Sequence, residues 1–318
     1  MEERLLAILR LAKRYKATDI HFHMNYNQIT IDMRIDGEFK RVKSKFGDEK
    51  LIRYLQYLAN LDVGHILEPQ TGQFEMEVDN SLLSLRFAII NNISYSDGVL
   101  RILNADLKVE ADHLSTIKKQ NEYFKSLLKE DYGLIVFSGP TGSGKTTTLY
   151  SLLNSVKGKK IYTIEDPIEV YNDNFVQLQI NEAIGFTYEE GIKQILRHDP
   201  DIIMIGEIRD SKAAKMAVVA ANTGHLVLTT LHSSTSSSAI SRLVELGVNE
   251  THLYEMLLCI TNQRMLISKD NQKVVLYEVM NKQEIEHFKV SKTNSKEFFS
   301  LEKQIKNGKN KGIFKENI

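Results

Sequence analysis

The residues with the clearest chemistry in this sequence form the segment 139–146, Gly-Pro-Thr-Gly-Ser-Gly-Lys-Thr. The segment matches the phosphate-binding pattern G-x-x-x-x-G-K-[ST]. An apolar run at 134–137 precedes it, and residues 147–150 can continue as a helix. Glycines allow a backbone to wrap around an anion, and the positive end of the following helix adds to the attraction. An ordinary glycine-rich turn would not need the whole pattern, so the segment predicts a site for a nucleoside triphosphate.

Positions within this loop predict roles. Lys145 is expected to reach the β- and γ-phosphates, and the hydroxyl of Thr146 is expected to bind Mg²⁺. The predicted nucleotide-binding residues are those of the loop and the residue after it: Gly139, Pro140, Thr141, Gly142, Ser143, Gly144, Lys145, Thr146 and Thr147.

An acidic residue follows another predicted strand. Residues 202–205 are apolar, Asp201 precedes them and Glu207 follows them. An acid at the end of a strand beside a phosphate-binding loop can hold the Mg²⁺ shell through water, so Thr146 and Glu207 are the predicted metal residues. The alternative is an ordinary buried strand with a polar end. The nearby Arg209 favours phosphate chemistry, because a guanidinium pairs well with phosphate.

A second acidic cluster contains Glu165, Asp166 and Glu169, at the C-terminal end of the predicted strand 161–164. Ligands of α/β sheets bind at this edge. A carboxylate there can orient a water molecule and accept its proton during attack on a γ-phosphate. The alternative is a solvated acidic loop. Because the cluster follows the phosphate-binding loop and its helix, we favour the functional interpretation.

Several histidines are candidates for a role in binding. His232 lies on the C-terminal side of the predicted strand 226–228, where an imidazole can sense a γ-phosphate. His225 precedes that strand. The sequence around it allows either a direct role in binding the nucleotide or a structural position in a turn. His21 and His23 share one face of a predicted strand, but no third metal ligand lies near them in the sequence, so a metal site is not predicted there.

Composition argues against several classes of protein. Lys plus Arg and Asp plus Glu each number 41, and this zero net charge argues against nucleic acid as the main partner, although a local basic patch stays possible. Cys259 is the only cysteine, which is typical of a reducing cytosol and excludes an internal disulfide or a cysteine-rich zinc site. The charged N-terminus is unlike a secretory signal, and no apolar stretch approaches the ~20 residues that span a bilayer. Membrane association is therefore expected to be peripheral or through a partner.

The elements that must position these residues fall into two predicted domains. Residues 1–104 alternate helical and strand periodicity, which predicts a small α+β domain with an antiparallel sheet. The predicted helices lie at 2–15 and 51–61, and the predicted strands at 19–24, 29–35, 38–42, 73–78, 82–90 and 99–103, with Asp36 and Gly37 as a hairpin turn. The polar residues 105–112 are the predicted linker.

The pattern changes in residues 113–318. Apolar runs at 134–137, 161–164, 202–205 and 226–228 alternate with helical segments, which predicts an α/β domain with a mainly parallel sheet. The lysine-rich tail from Lys292 onward is expected to form a solvated helix and a frayed end.

The order of these motifs resembles the secretion ATPases of the type II secretion and type IV pilus superfamily. The family's phosphate-binding loop, Asp box, Walker B strand and His box are similar to the segments 139–146, 163–169, 201–210 and 223–232. The segments 17–22 and 34–37 resemble its PAS-like N-terminal domain. The resemblance extends from the N-terminus to about residue 280 and implies a RecA-like P-loop ATPase domain preceded by a smaller PAS-like α+β domain.

The resemblance also implies a function. It implies a cytosolic, homohexameric motor that hydrolyses ATP with Mg²⁺ and acts on a polytopic membrane platform protein, and through it on pilin-like subunits. Neither zinc nor direct binding to nucleic acid is expected. Glu169 is the implied general base, and Glu165 and Glu207 are implied to organise Mg²⁺ and water. His232 would sense the nucleotide state, and Arg86 and Arg101 would complete the site from the N-terminal domain.

Differences between this sequence and the family pattern indicate which type of motor within the superfamily it resembles. Residues 262–266 resemble the family's Gln-Arg-Leu segment, but the four-cysteine zinc insert of many export motors does not follow them. The long extra N-terminal domain of those motors is not found in this sequence, nor is the Ala-Ile-Arg-Asn-Leu-Ile-Arg helix of retraction motors. We therefore expect an assembly motor of a Gram-positive competence pseudopilus for DNA uptake. The alternatives are a retraction motor of the same superfamily, a non-motor nucleotide-dependent regulator and, less in keeping with the neutral charge, a DNA translocase.

Overall fold

The structure is a computed structural model that describes residues 1–25, 28–35, 38–42, 49–64, 67–92, 95–103 and 109–314. The chain divides into two compact units, Met1–Asp106 and Leu107–Ile318. The predicted domain boundaries stay a prediction. Residues 104–108 and the predicted hairpin turn at 36 and 37 lie outside the described residues, and the last part of the predicted linker enters a short 3-10 helix, Ala111–His113.

The first unit is an antiparallel sheet with helices on one face. Its strands have the order β3-β2-β1-β6-β5-β4. In chain order the elements are α1 (Glu2–Tyr15), β1 (Asp19–Asn25), β2 (Gln28–Ile35), β3 (Glu38–Val42), α2 (Glu49–Leu58), β4 (Gln70–Val78), β5 (Ser81–Asn91) and β6 (Tyr95–Ile102).

Alternating burial explains this layered arrangement. On β1, Ile20 and Phe22 are buried in one core with Leu5 of α1 and Leu55 of α2, whereas His23 is exposed on the other face. Side chains of a strand alternate between the two faces, and the helices cover only one of them. The predicted α+β sheet domain is confirmed.

The second unit is an α/β domain with α-helices between most of its parallel strands. In chain order its elements are α3 (Lys118–Leu127), β7 (Gly133–Ser138), α4 (Lys145–Asn154), β8 (Ile161–Glu165), β9 (Val176–Gln179), α5 (Tyr188–Ile195), β10 (Ile202–Ile205), α6 (Ser211–Asn222), β11 (Leu226–Leu231), α7 (Ser236–Glu245), α8 (Glu250–Met256), β12 (Leu257–Ile267), β13 (Lys273–Met280), α9 (Lys282–Ser291) and α10 (Leu301–Asn310).

The sheet of this unit has the order β13-β12-β7-β11-β10-β8-β9. Neighbouring strands from β12 to β9 are parallel, and only the β12–β13 pair is antiparallel. On the interior strand β7, Leu134 and Val136 pack into one core, and Ile135 and Phe137 pack into another. Helices therefore cover both faces, which is why the strands are almost continuously apolar.

The C-terminal tail differs from the predicted solvated helix. Leu301, Gln304 and Gly308 form a buried stripe on α10, while lysines occupy its exposed side. Phe314 is also buried and forms a bridge with Ser268 in the turn between β12 and β13. The predicted helix is present, but it is not solvated on every side, because the high lysine content conceals a narrow packing face at helical spacing. The last residues of the tail, 315–318, lie outside the described residues.

Over the described ranges, none of the helices combines the length and the apolar character that a membrane crossing requires.

Candidate functional site

The phosphate-binding loop connects β7 to α4. Three glycines of the loop have positive backbone φ angles: 145° at Gly139, 76° at Gly142 and 89° at Gly144. Residues other than glycine rarely adopt such angles. A Cβ atom at Gly139 would lie only 2.5 Å from the carbonyl oxygen of Gln263. Since α4 begins at Lys145, its first backbone N–H groups and its positive end point to the concave side of the loop.

Lys145 is held inside this loop. Its Nζ donates hydrogen bonds to the carbonyl oxygens of Gly139 at 2.9 Å and Pro140 at 3.1 Å. Burial lowers the pKa of the Lys145 ammonium, and the carboxylates of Glu207 and Glu169 partly offset this by raising it. The three charged groups thus share one electrostatic environment, in which an additional anion would favour the charged lysine.

A cleft of about 520 Å³ opens beside the loop. The carboxyl ends of the parallel strands β7, β8, β10 and β11 meet here, which is why residues distant in sequence converge. The predicted site residues in its lining are Thr141, Gly142, Gly144, Lys145, Thr146, Thr147, Glu165, Glu169, Glu207 and His232. Their roles stay predictions.

Glu207 is the centre of an ion-pair network. One carboxylate oxygen lies 2.9 Å from Nε2 of His232, and the other accepts a hydrogen bond of 2.9 Å from Nε of Arg209. Arg209 also donates from Nη1 to Asp166 at 3.0 Å. The guanidinium therefore connects the acidic cluster after β8 to the acid after β10, and His232 connects both to the loop after β11.

Glu165 is almost completely buried, with 3% of its surface exposed. Its oxygens accept hydrogen bonds from the hydroxyl groups of Tyr150, at 2.8 and 2.9 Å, and of Thr163, at 2.7 Å. Burial raises the pKa of this carboxyl group, although these hydrogen bonds and a contact with Gln177 oppose the rise. Tyr150 and Gln177 thus fix the carboxylate in one orientation.

Glu169 differs from Glu165 in both exposure and contacts. It is exposed, lines the same cleft, and accepts no hydrogen bond from a side chain of the described part of the chain. A carboxylate that can rotate and reach water has the properties of a proton acceptor, whereas Glu165 has those of a fixed anchor.

Three other histidines that the sequence singled out are not among the residues that line the cleft. Nδ1 of His225 is 3.2 Å from both Thr223 Oγ1 and the carbonyl oxygen of Ala220, so this histidine closes the turn between α6 and β11 at the amino edge of the sheet. His21 and His23 share one face of β1 in the first unit.

Arg86 and Arg101 belong to the first unit, where they are cross-strand neighbours on β5 and β6. Nε of Arg101 donates to Asp19 at 2.7 Å. Burial raises the pKa of the Asp19 carboxyl, but the hydrogen bonds from Arg101 and Thr18 outweigh it and lower the pKa overall. The predicted role of both arginines at the nucleotide stays a prediction.

Three side chains that support the site were not predicted from the sequence. Tyr150 and Gln177 hold Glu165, and the buried Gln263 of β12 donates to the carbonyl oxygen of Ser143 at 2.7 Å. The available signal for Gln263 was a polar run, Thr-Asn-Gln-Arg at 261–264, between the apolar segments 257–260 and 265–267 of β12. No comparable signal marks Tyr150, which lies within a run of α4, residues 148–153, that is buried throughout.

A nucleotide fits the residues that are present. The loop has three glycines with positive φ, a buried lysine, and a Ser143 hydroxyl that is buried with no partner among the described residues. In those same residues, no group of three or more His, Cys, Asp or Glu is placed to hold a metal ion. Mg²⁺ needs few protein ligands when phosphates and water complete its shell, and Thr146 and Glu207 both line the cleft.

Comparisons with known proteins agree with this geometry. A family model described as Type II/IV secretion system protein matches residues 1–306. The competence protein ComGA of Bacillus subtilis is 38% identical over 256 residues, which cover 79% of this chain and 72% of that protein. The type II secretion system protein E of Pseudomonas aeruginosa is 34% identical over 265 residues, 82% of this chain but 53% of that protein. The crystal structure of the pilus retraction motor PilT with bound ADP has a TM-score of 0.80 at 27% identity and covers 98% of this chain and 94% of its own.

A parallel sheet with a phosphate-binding loop and acidic residues at its carboxyl edge, preceded by a small PAS-like α+β domain, defines a P-loop ATPase with a RecA-like fold. The chain belongs to the type II/IV secretion system protein family. The predicted family, fold class and ATPase activity are confirmed.

Proposed function

We propose that this protein is the ATP-hydrolysing motor that powers assembly of a competence pseudopilus for DNA uptake. The observation that carries the proposal is the convergence of Lys145, Glu169, Glu207 and His232 on one cleft, in a chain 38% identical to a competence protein over most of its length. The retraction motor PilT shares the fold at a lower identity of 27%, which favours the assembly function.

The chemistry follows from the contacts around the cleft. Lys145 would exchange its loop carbonyl partners for β- and γ-phosphate oxygens, and the hydroxyl of Thr146 would hold Mg²⁺. When bound, Mg²⁺ neutralises developing phosphate charge. Glu169 accepts a proton from the water molecule that attacks the γ-phosphate as the bond to ADP breaks. Its carboxylate is exposed and accepts no side-chain hydrogen bond from the described residues, so it can approach that water. Glu207 orders the water around the metal.

Neighbouring residues respond to the state of the nucleotide. His232 and Arg209 both contact Glu207, so a change in charge at the γ-phosphate alters the pairing of either side chain. Glu165 organises the same region from its buried position. We propose that motion about the linker at 105–112 then transmits this change between the two domains.

The assembly is proposed to be a homohexameric ring in the cytoplasm, held at the inner face of the membrane through a polytopic platform protein. In such a ring Arg86 and Arg101 would complete the nucleotide site as arginine fingers. Pilin-like subunits are the indirect substrate, and neither zinc nor direct nucleic-acid binding is part of the proposal.

Light scattering combined with phosphate release tests the motor. The wild-type protein is expected to form a larger assembly with ATP, and its turnover per chain is expected to rise as the assembly forms. Lys145→Ala should lose turnover. Normal hydrolysis by this variant, or full activity of an isolated subunit, would contradict the proposal. Slow turnover with tight retention of ADP would indicate a nucleotide-dependent regulator.

A deletion strain distinguishes the two motor functions. Loss of the pseudopilus and of DNA uptake is the expected result. An increase in the number of surface filaments would instead indicate a retraction motor.

A further inference from the structure

A buried polar segment of β12 contacts the phosphate-binding loop. Thr261, Asn262 and Gln263 each have 0% of their surface exposed. β12 runs parallel to β7, and their last paired residues are Asn262 and Ser138. Gln263 therefore lies level with Gly139, the first residue of the loop, and the strand extends past the sheet edge beside it.

The side chain of Gln263 reaches the middle of the loop. Its Nε2 donates to the carbonyl oxygen of Ser143 at 2.7 Å. A Cβ atom at Gly144 would lie 3.5 Å from the same Nε2, and a Cβ atom at Gly139 would lie 2.5 Å from the Gln263 carbonyl oxygen. One residue of β12 thus packs against the beginning and the end of the loop.

This contact fixes the orientation of one peptide group. In a planar trans peptide the C=O and the following N–H point in opposite directions. With the Ser143 carbonyl directed at Gln263, the N–H of Gly144 is directed away from β12. Anion-binding loops require successive N–H groups that converge on one point, and Gly144 has few intrinsic restraints because it is a glycine.

A glutamine at position 263 of a buried strand is unfavourable for folding. Its Oε1 is buried and has no hydrogen-bond partner within the described ranges. An unsatisfied buried carbonyl disfavours folding, and an apolar side chain of the same volume would avoid this cost. Fold stability alone therefore does not explain a glutamine here, whereas donation to the loop does.

We propose that Gln263 is a positioning residue that holds the phosphate-binding loop in the conformation that binds a triphosphate. The inference rests on the proposed nucleotide site and adds a residue outside the loop to it. The neighbouring Asn262 acts on the opposite side, where its Nδ2 donates to Ser138 Oγ and to the carbonyl oxygen of Ser233, both at 3.0 Å. β12 therefore makes hydrogen bonds to the loop after β7, through Gln263, and to the loop after β11, through Asn262.

The substitution Gln263→Met tests the inference, because it keeps the volume and removes the donor. Gln304→Met is the matched control. Gln304 is also buried, and its Oε1 has no partner in the described part of the chain. Its Nε2 donates to the carbonyl oxygens of Tyr277 and Phe299, which lie outside the phosphate-binding loop. The readouts on the full-length protein are titration with a fluorescent N-methylanthraniloyl-ATP, KM and kcat for ATP, and the melting temperature.

Gln263→Met is expected to raise the Kd for the fluorescent ATP and the KM about fivefold to tenfold, the effect of one hydrogen bond, with kcat within about threefold of wild type. Gln304→Met is expected to lower the melting temperature while the Kd changes by less than about twofold. If both variants lose stability and neither changes the Kd, Gln263 is only a structural residue and the inference is wrong.

Further outcomes are also decisive. If Gln263→Met does not fold, Gln263→Asn replaces it, since the shorter amide cannot reach Ser143; unchanged affinity in that variant overturns the inference. If the wild-type protein itself binds no fluorescent ATP, both the proposed nucleotide site and the inference are wrong. If the wild-type protein binds it and Gln263→Met binds it equally well, only the inference about Gln263 is wrong.

Discussion

Substitution of Glu169, which follows β8, should impair catalysis, whereas substitution of Glu165, the last residue of β8, should impair stability. Glu169 is exposed and accepts no side-chain hydrogen bond from the described residues, whereas Glu165 is 3% exposed and accepts hydrogen bonds from Tyr150 and Thr163. The perturbation is Glu169→Gln, which removes the proton acceptor and preserves the shape of the side chain. Because no side chain of the described residues donates a hydrogen bond to this carboxylate, the variant should keep its fold and its nucleotide site.

The magnitudes follow from these contacts. Loss of a general base lowers turnover by about two to four orders of magnitude, equivalent to about 3 to 5 kcal/mol in the activation free energy. A surface substitution changes the free energy of unfolding by less than about 0.5 kcal/mol. Glu165→Gln is the matched comparison. It places an amide N–H₂ against two hydroxyl donors in a buried site and should lower the free energy of unfolding by about 1 to 3 kcal/mol.

The assay combines phosphate release at saturating ATP, titration with the fluorescent ATP and urea denaturation for each variant. Glu169→Gln should lose turnover, with its Kd and unfolding midpoint near those of wild type. Unchanged turnover in Glu169→Gln would refute the reasoning and would make Glu165 the next candidate for the base. A large loss of stability in Glu169→Gln would show that contacts of this side chain, rather than its chemistry, explain any loss of activity.

Two further predictions concern stability. Arg101→Gln removes the partner of the nearly buried Asp19, whose pKa is lowered in the folded protein, so the variant should lose about 1 to 2 kcal/mol at neutral pH. A lowered folded pKa stabilises the protein above the unfolded value of 3.8, and this stabilisation is lost as the pH falls through the folded pKa, so urea denaturation should show no difference in strong acid. Gly308→Ala should cost about 1 to 3 kcal/mol, measured by thermal or urea denaturation, because its Cβ atom would lie 2.3 Å from the ring of Phe314.

Each of these predictions has an internal control. Arg41→Gln removes an ion pair with Asp32 on the same sheet as Arg101, and because solvent screens this exposed pair, the free energy of unfolding should stay close to that of wild type. An equal effect of Arg41→Gln and Arg101→Gln, or a difference for Arg101→Gln that persists in acid, would contradict the Asp19 prediction. In a Phe314→Ala background the ring is absent, so Gly308→Ala should then lower the free energy of unfolding only slightly. If the losses of the two single variants add in the double variant, the predicted clash between residue 308 and the ring is excluded.

Local sequence patterns predicted both fold classes, several of the strands and the chemistry of the phosphate-binding loop, but not the strands 176–179, 257–267 and 273–280. The alternation of apolar residues on β1 and the continuous apolar run of β7 predicted one open antiparallel sheet and one covered parallel sheet, because the number of buried faces sets the periodicity of a strand. The loop at 139–146 was equally predictable, since its glycines, its lysine and its threonine act through consecutive backbone positions.

Tertiary structure alone decided which side chains support that loop and how the acids differ. Gln263 meets Ser143 only because β12 is placed beside β7, a neighbour relation that no local pattern encodes. Arg209 joins Asp166 to Glu207 across two strands, and the burial of Glu165 depends on Tyr150 of a preceding helix. Local propensity determines whether a segment can form a helix or a strand. The free energy of a buried contact depends instead on which side chains become neighbours, and the order of the strands in the sheet determines that.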